Sequence, residues 1–206
     1  MHTAAEFLAA ICANPNDDTT RLVYADWLQE NGQPERAEFI RLQCEIERNP
    51  SFLAPEDDPL RRRERELWNA AVESKIAFRW FFDGFDGYLS CTNSAPRFWL
   101  TQDSTWHGEL RRGFIESVAC NYKDWLGYSA ALCAAHPVKQ VKLSDRPGVA
   151  RRETGLFHIN GTDNDREFFV PDAEGKTWCE VVKHILEHEL FPGITFEMPD
   201  EPITLV

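Results

Sequence analysis

Three stripes of apolar residues with helical spacing follow one another in the first fifty residues of the chain. Thr3 and Glu6 form a capping box before the first stripe, and a polar turn ends it. Asp17 caps the second stripe, Gly32 stops it, and Pro34 opens the third. The pattern predicts a small bundle of three short helices.

Two arginines interrupt the apolar faces of the second and third predicted helices. At about 100° per residue, Arg21 falls within the apolar arc of one helix and Arg36 between two apolar flanks of the other. An unpaired buried charge costs several kcal/mol, so both need partners, and carboxylates lie close in sequence. We therefore predict an internal ion-pair network; a charged surface for a partner is the alternative. The predicted network consists of Asp17, Asp18, Arg21, Asp26, Arg36 and Glu38.

A run of ordered positions in this segment carries a family resemblance. It comprises Asp17-Asp18, residues 21–28 (RLVYADWL), Gly32 and residues 36–43 (RAEFIRLQ). Over about residues 3–48 the chain resembles the bacterial repeat-companion domain, a family named for its place beside leucine-rich or other repeats. Gln29 and Gln33 stand where we expect acidic residues. The resemblance implies a non-enzymatic module without a known cofactor or catalytic residues.

Residues 50–113 are predicted to connect two halves of the chain. Residues 50–59 have the composition of a linker, and residues 60–75 have a helical pattern with the Arg61-Arg62-Arg63 run in solvent. Residues 78–99 are densely aromatic and broken by Asp-Gly turns. We expect this aromatic segment to plug the end of a core; a ligand pocket or partner-binding patch is the alternative.

Two strand patterns recur in the second half, with a helical pattern between them. Residues 115–120 (IESVAC) and 138–143 (VKQVKL) flank a predicted helix over 124–135, at a spacing within the leucine-rich-repeat range. A third copy is indicated because residues 136–145 align with 191–200. The pattern predicts β-α-β units that build a short curved sheet.

An insertion at 144–176 separates the second and third copies, and residues 157–160 and 167–170 of it can pair as a hairpin. The chain is thus predicted to have a mixed α/β fold. Its parts are a helical domain (1–49), a connecting segment (50–113) and a leucine-rich-repeat-like half (114–206). An unrelated α+β fold is the alternative for that half.

Alternation along the two strands separates a core face from an outer face. Val118, Cys120, Val141 and Leu143 make one face the more apolar, so we assign it, with Glu116 and Lys139, to the core. The other face, which includes Ile115, turns outward. We expect it to bind a protein partner with an acidic patch, with association that slows as salt rises. The candidate contacts are Ser117, Gln140 and Lys142.

One motif has a catalytic spacing. His184, Glu187 and His188 match H-x-x-E-H, in which two histidines can share a zinc while the glutamate activates water. On the helical wheel these residues lie opposite the apolar face, and the sequence offers no clear third ligand. We therefore expect exposed surface residues, with no effect of charge reversal at Glu187 on stability or binding. A small zinc-dependent hydrolase is the alternative.

The 206-residue chain has a formal net charge of −12, which disfavours direct nucleic-acid binding. Its basic stretch is expected to be a solvated loop; an accessory role in a nucleic-acid-associated complex is the alternative. That stretch comprises Lys139, Lys142, Arg146, Arg151 and Arg152. Six cysteines without metal-binding spacing, no signal-peptide pattern and no long apolar run predict a cytoplasmic protein with no cofactor, metal or membrane contact. We predict a non-enzymatic protein-interaction module, a subunit or adaptor in a larger assembly.

Overall fold

A computed structural model describes residues 3–51, 53, 57–74, 97–99, 107–145, 149–153, 156–159, 167–170, 173 and 176–199. The chain has the predicted mixed α/β fold. Its contacts divide it into two units: the first comprises residues 1–118 and 130–138, the second residues 119–129 and 139–206. Most of the aromatic segment 78–99 lies outside the described residues. In the described part, no helix is both long and apolar enough to cross a bilayer.

Among the residues that the structure describes, the first unit contains the helices α1 (Ala4–Ala13), α2 (Asp18–Glu30), α3 (Pro34–Arg48) and α4 (Pro59–Glu73). The capping box of Thr3 and Glu6 is present, and the Asp17 side chain accepts a hydrogen bond from the Thr19 amide at 2.9 Å. Gly32 has φ +78°, the left-handed conformation that ends a helix. The sequence signals for these helices are confirmed.

The core of the first unit is built where α1, α2 and α3 meet the strand that begins at Phe114. Tyr24 is fully buried between the rings of Phe7 and Phe114, with centroids 5.5 and 6.2 Å away. The buried members of this cluster are Ile11, Tyr24, Ala25, Leu28, Ala37, Ile40, Cys44 and Phe114. The helices therefore depend for their core on a residue from far along the chain.

The described part of the first unit also contains three strands. Strand β1 (Arg97–Trp99) pairs antiparallel with β2 (His107–Arg111), which is followed by β3 (Phe114–Cys120). Arg112 and Gly113 make the turn between β2 and β3 with φ values of 51° and 82°, the left-handed pair typical of a tight hairpin. The last residues of β3, and the first half of helix α5 (Tyr122–Ala135), belong to the second unit.

The second unit contains the predicted parallel pair. Strand β4 (Gln140–Leu143) pairs with β8 (Thr195–Glu197), and Trp125 of α5 packs edge-on against Phe196, 5.9 Å between ring centroids. Helix α6 (Trp178–His184) precedes β8 and continues as a π-helical turn over Ile185–Leu190. The strand-helix-strand order and the third strand are confirmed.

A small antiparallel sheet fills the predicted insertion. Strand β6 (Leu156–Ile159) pairs with β7 (Phe168–Phe169), which confirms the hairpin, and β5 (Val149–Glu153) pairs with the other side of β6. Arg151 and Arg152 thus lie in a strand, so the expectation that the whole basic stretch is a loop is wrong. The local signal missed β5 because its arginines break the apolar alternation that marks a strand.

Candidate functional site

The outer face of β4 carries two of the predicted contact residues. Gln140 and Lys142 are exposed, whereas Val141 and Leu143 are buried, so the predicted alternation is confirmed over β4. Val138, which the same alternation placed on the outer face, is buried just before the strand. Gln140 donates a hydrogen bond to the Glu197 side chain on the neighbouring strand β8. The strand register therefore presents Lys142 to solvent.

The predicted alternation of β3 is correct for only part of the strand. Val118 and Cys120 are buried as expected, but Ile115 is buried too, and Ser117 is half-buried. The Ile115 side chain is fully buried, so the strand is covered on this face as well, and its amide donates to Nδ1 of the buried His136 at 3.5 Å. A strand covered on both faces loses the alternation that a half-exposed strand shows.

A cleft of about 710 Å³ opens at the carboxyl ends of β4 and β8 in the second unit. Apolar lining comes from both strand ends, and helix α6 contributes the other wall. The lining residues are Lys142, Leu143, Ser144, Cys179, Glu180, Lys183, Phe196, Glu197, Met198 and Pro199. Ligand sites commonly occur beyond the carboxyl ends of parallel strands, so this cleft is the candidate site of the second unit.

Three of the four charged side chains in this cleft are engaged by neighbours. Glu180 accepts from the amide and the hydroxyl of Thr177 at 2.6 and 2.8 Å, which lowers the pKa of its carboxyl. Glu197 accepts from Gln140, and Lys183 lies 3.7 Å from Glu187. Lys142 has no hydrogen bond or ion pair with any residue in the described ranges. Its ammonium is therefore available to an incoming anion.

The glutamate of the H-x-x-E-H motif has a structural role. The Glu187 carboxylate accepts the amide proton of Phe196 at 2.8 Å, and its side chain is only 20% exposed. The rings of His184 and His188 lie 4.6 Å apart, and partial burial, followed by the neighbouring His188 charge, lowers the pKa of His184. Among the described side chains, no group of three His, Cys, Asp or Glu could hold a metal ion. The expectation that Glu187 is an inert surface residue is wrong.

Arg21 lies at the centre of a chain of ion pairs in the first unit. Its guanidinium is fully buried and contacts the Glu116 carboxylate at 3.0 Å, across 95 residues of sequence. Arg112 donates hydrogen bonds to both oxygens of Glu116, at 2.9 and 3.1 Å, and forms an ion pair with Asp18 at 3.5 Å. Arg48 lies 3.4 Å from the other oxygen of Asp18. Burial lowers the pKa of Arg21, and the positive charge of Arg112 lowers it further.

The arginines are buried as predicted, but the carboxylate that pairs with Arg21 is Glu116, which is not among the four predicted acids. Glu116 was missed because its partner is not local; the signal for it was its place on the core face of β3. Arg36 is buried, with its guanidinium 5.5 Å from the centre of the Tyr24 ring. The other predicted acids have separate tasks: Asp17 caps α2, Asp26 pairs with Arg41 at 2.6 Å, and Glu38 pairs with Arg63 at 2.8 Å.

Gln43 makes a second buried polar contact between helices and strands of the first unit. Its amide group donates to Glu64 at 2.8 Å and to the Leu110 carbonyl at 3.2 Å, while its oxygen accepts from the Gly113 amide at 2.6 Å. All of these contacts are buried, so they fix α3 against α4 and the β2–β3 turn. This arrangement is structural.

The five described cysteines are free thiols. Burial raises the pKa of Cys44 to about 11 and that of Cys120 to about 12. A thiol with such a pKa stays protonated at neutral pH, and the thiolate is the form that attacks electrophiles. Neither residue is suited to be a nucleophile.

No protein-family model, no curated protein and no solved structure matches the chain. The likeness of the first three helices to the repeat-companion family therefore stays a prediction.

Proposed function

We propose that this chain is a non-enzymatic protein-interaction module that binds its partner through the β4 side of the second unit, as a subunit or adaptor in a larger assembly. The observation that carries the proposal is Lys142: an exposed, unengaged cation beside a cleft, within the described part of a chain of net charge −12. A partner with an acidic patch complements this position, and charge complementarity guides association.

Three further observations support this proposal. The resemblance of residues 3–48 to the repeat-companion family favours a binding module over an enzyme. Glu187 of the H-x-x-E-H motif is occupied by the Phe196 amide, which weakens the zinc-hydrolase alternative. Free thiols at the described cysteines are typical of a reducing compartment, and we place the protein in the cytoplasm.

Of the predicted contact residues, Lys142 provides the sharpest test. Ser117 is half-buried, and Gln140 is hydrogen-bonded to Glu197, so neither offers a free charge. Lys123 is an exposed lysine near the start of α5, where glutamate suits the helix terminus. Lys123→Glu is therefore a matched charge reversal that should leave the fold intact.

Affinity capture from the native host, with identification of bound proteins by mass spectrometry, tests the proposal. We expect the wild type and Lys123→Glu to retain the same partner and Lys142→Glu to lose it, with melting temperatures alike in all three proteins. A partner that Lys142→Glu retains in full would place the interface elsewhere. The lack of any reproducible partner for the wild type would overturn the proposal.

A further inference from the structure

We infer that the cleft at the carboxyl ends of β4 and β8 binds an aspartate or glutamate side chain of an extended protein segment, with an adjacent apolar side chain seated against the cleft wall. The inference rests on the proposed function and names the chemistry that the partner presents. Lys142 supplies the cation of the cleft, and the apolar surface of the cleft comes from the ends of the two strands and from α6.

One charged side chain of the cleft is placed to pair with an anion. Glu180 and Glu197 keep their negative charges, because Thr177 and Gln140 donate neutral hydrogen bonds to them, and these bonds hold the two carboxylates in place. Lys183 is shared with Glu187 at 3.7 Å. Lys142 is the charged lining residue that has no hydrogen bond or ion pair within the described ranges, so an incoming carboxylate can pair with it directly.

The apolar lining favours an apolar side chain next to the carboxylate of the bound segment. Among the apolar lining residues, Leu143 and Phe196 are buried, and Met198 and Cys179 are half-buried. Methionine adapts its shape to different partners, a property of surfaces that bind peptides. A cleft of about 710 Å³ lies within the usual range for ligand pockets, about 300–1,000 Å³, and accommodates a few residues of an extended segment.

The same lining disfavours phosphate as the bound group. Phosphate carries more charge than a carboxylate, and its sites gather several donors, such as arginine forks or a series of backbone amides. Here two carboxylates, Glu180 and Glu197, share the lining with the lysines. Their field opposes a doubly charged ligand more than a singly charged one.

Backbone amide chemical shifts of the isotope-labelled full chain provide the test. The probes are the acetylated, amidated pentapeptides Gly-Leu-Asp-Leu-Gly and Gly-Leu-Asn-Leu-Gly, which differ in one charge, and inorganic phosphate. We expect the Asp peptide to shift amides at Leu143, Ser144 and Glu197 and to leave those of α1 unchanged. The Asn peptide should bind about five-fold more weakly, the effect of an exposed ion pair worth about 1 kcal/mol.

Lys142→Glu should remove the preference for the Asp peptide, whereas Lys123→Glu should keep it. The inference is overturned if the cleft amides do not shift up to about 10 mM peptide, if both peptides bind equally, or if phosphate binds as well as the Asp peptide. Should Lys142→Glu still lose the captured partner while the peptide fails to bind, the interaction proposal stands and the carboxylate assignment fails. If the Asp peptide binds the cleft but no cellular partner is captured, the carboxylate assignment stands and the interaction proposal fails.

Discussion

Arg21 is fully buried in the first unit, and its charge is balanced by Glu116 and by the ring of Phe114, 5.6 Å from the guanidinium carbon. Glu116 is shared with Arg112, which continues the chain of charges to Asp18 and so to the exposed Arg48. A buried charge that loses its partner keeps its desolvation penalty. Removing one arginine of this chain therefore leaves part of the desolvation penalty of the buried Glu116 carboxylate without compensation.

Arg21→Met leaves Glu116 with one arginine and removes the cation beside Phe114. We expect a loss of about 3–5 kcal/mol in the free energy of unfolding, measured with urea. Arg41→Met is the control, because Arg41 and Asp26 form a short ion pair with side chains 36% and 68% exposed. It should cost less than about 1 kcal/mol. Equal losses in the two variants would contradict a structural role for the buried pair.

Gly113 combines a left-handed backbone with a close approach to α3. A Cβ atom at this position would overlap the Ile40 side chain and lie 3.0 Å from its Cα, whereas one at Gly32, also left-handed, would meet nothing within 4 Å. Gly32→Ala therefore reports the backbone cost alone, about 1–2 kcal/mol. Gly113→Ala should cost about 1–3 kcal/mol more, because the contact with Ile40 must be relieved. If the two variants unfold at the same urea concentration, the close packing of the turn on α3 is wrong.

At the scale of elements, the edge of β8 explains the π-helical turn before it. Thr195 donates its amide proton to the backbone carbonyl oxygen of Lys139 on the β4 side, so the next amide, that of Phe196, points the other way. Glu187 accepts that amide proton, which covers the polar edge of the strand. The π-helical turn over Ile185–Leu190 carries Glu187, and such turns within helices are frequent at positions with a specific role.

Glu187→Ala should therefore destabilise the second unit, in contrast to the inert role expected from the sequence. We expect a loss of about 1–2 kcal/mol, below the range for a fully buried hydrogen bond to a charge, and faster hydrogen exchange at the Phe196 amide. Glu189→Ala removes an exposed carboxylate two residues away and serves as the control. Unchanged exchange at Phe196 in Glu187→Ala would contradict the edge-capping role.

Local signals predicted the described helices and most of the strands, but not β1, β2 and β5, and the contacts that build the sites join residues distant in sequence. The capping residues Thr3 and Asp17, and the turn glycine Gly32, act within a few residues, so they could be found from the sequence. The partner of Arg21 lies 95 residues away, and no local spacing points to it. The π-helical turn shifts Glu187 from the position that a regular helical wheel gives, so its contact with Phe196 could not be predicted from periodicity.

For the molecule as a whole, net charge and the local charge at the cleft act at different distances. A net charge of −12 repels an acidic partner at long range, while Lys142 attracts its carboxylate at contact. Screening shortens the long-range term to about 10 Å at 0.1 M salt, so above this ionic strength the local attraction dominates. We therefore expect added salt to slow association at concentrations above about 0.1 M.

Binding of a partner at the β4–β8 cleft is tested most directly by hydrogen–deuterium exchange of the full chain, free and in complex with the captured partner. We predict slower exchange over residues 142–144, 179–183 and 196–199, with rates in α1, α2 and α3 unchanged. Protection confined to those three helices, with exchange around the cleft unaltered, would contradict the account.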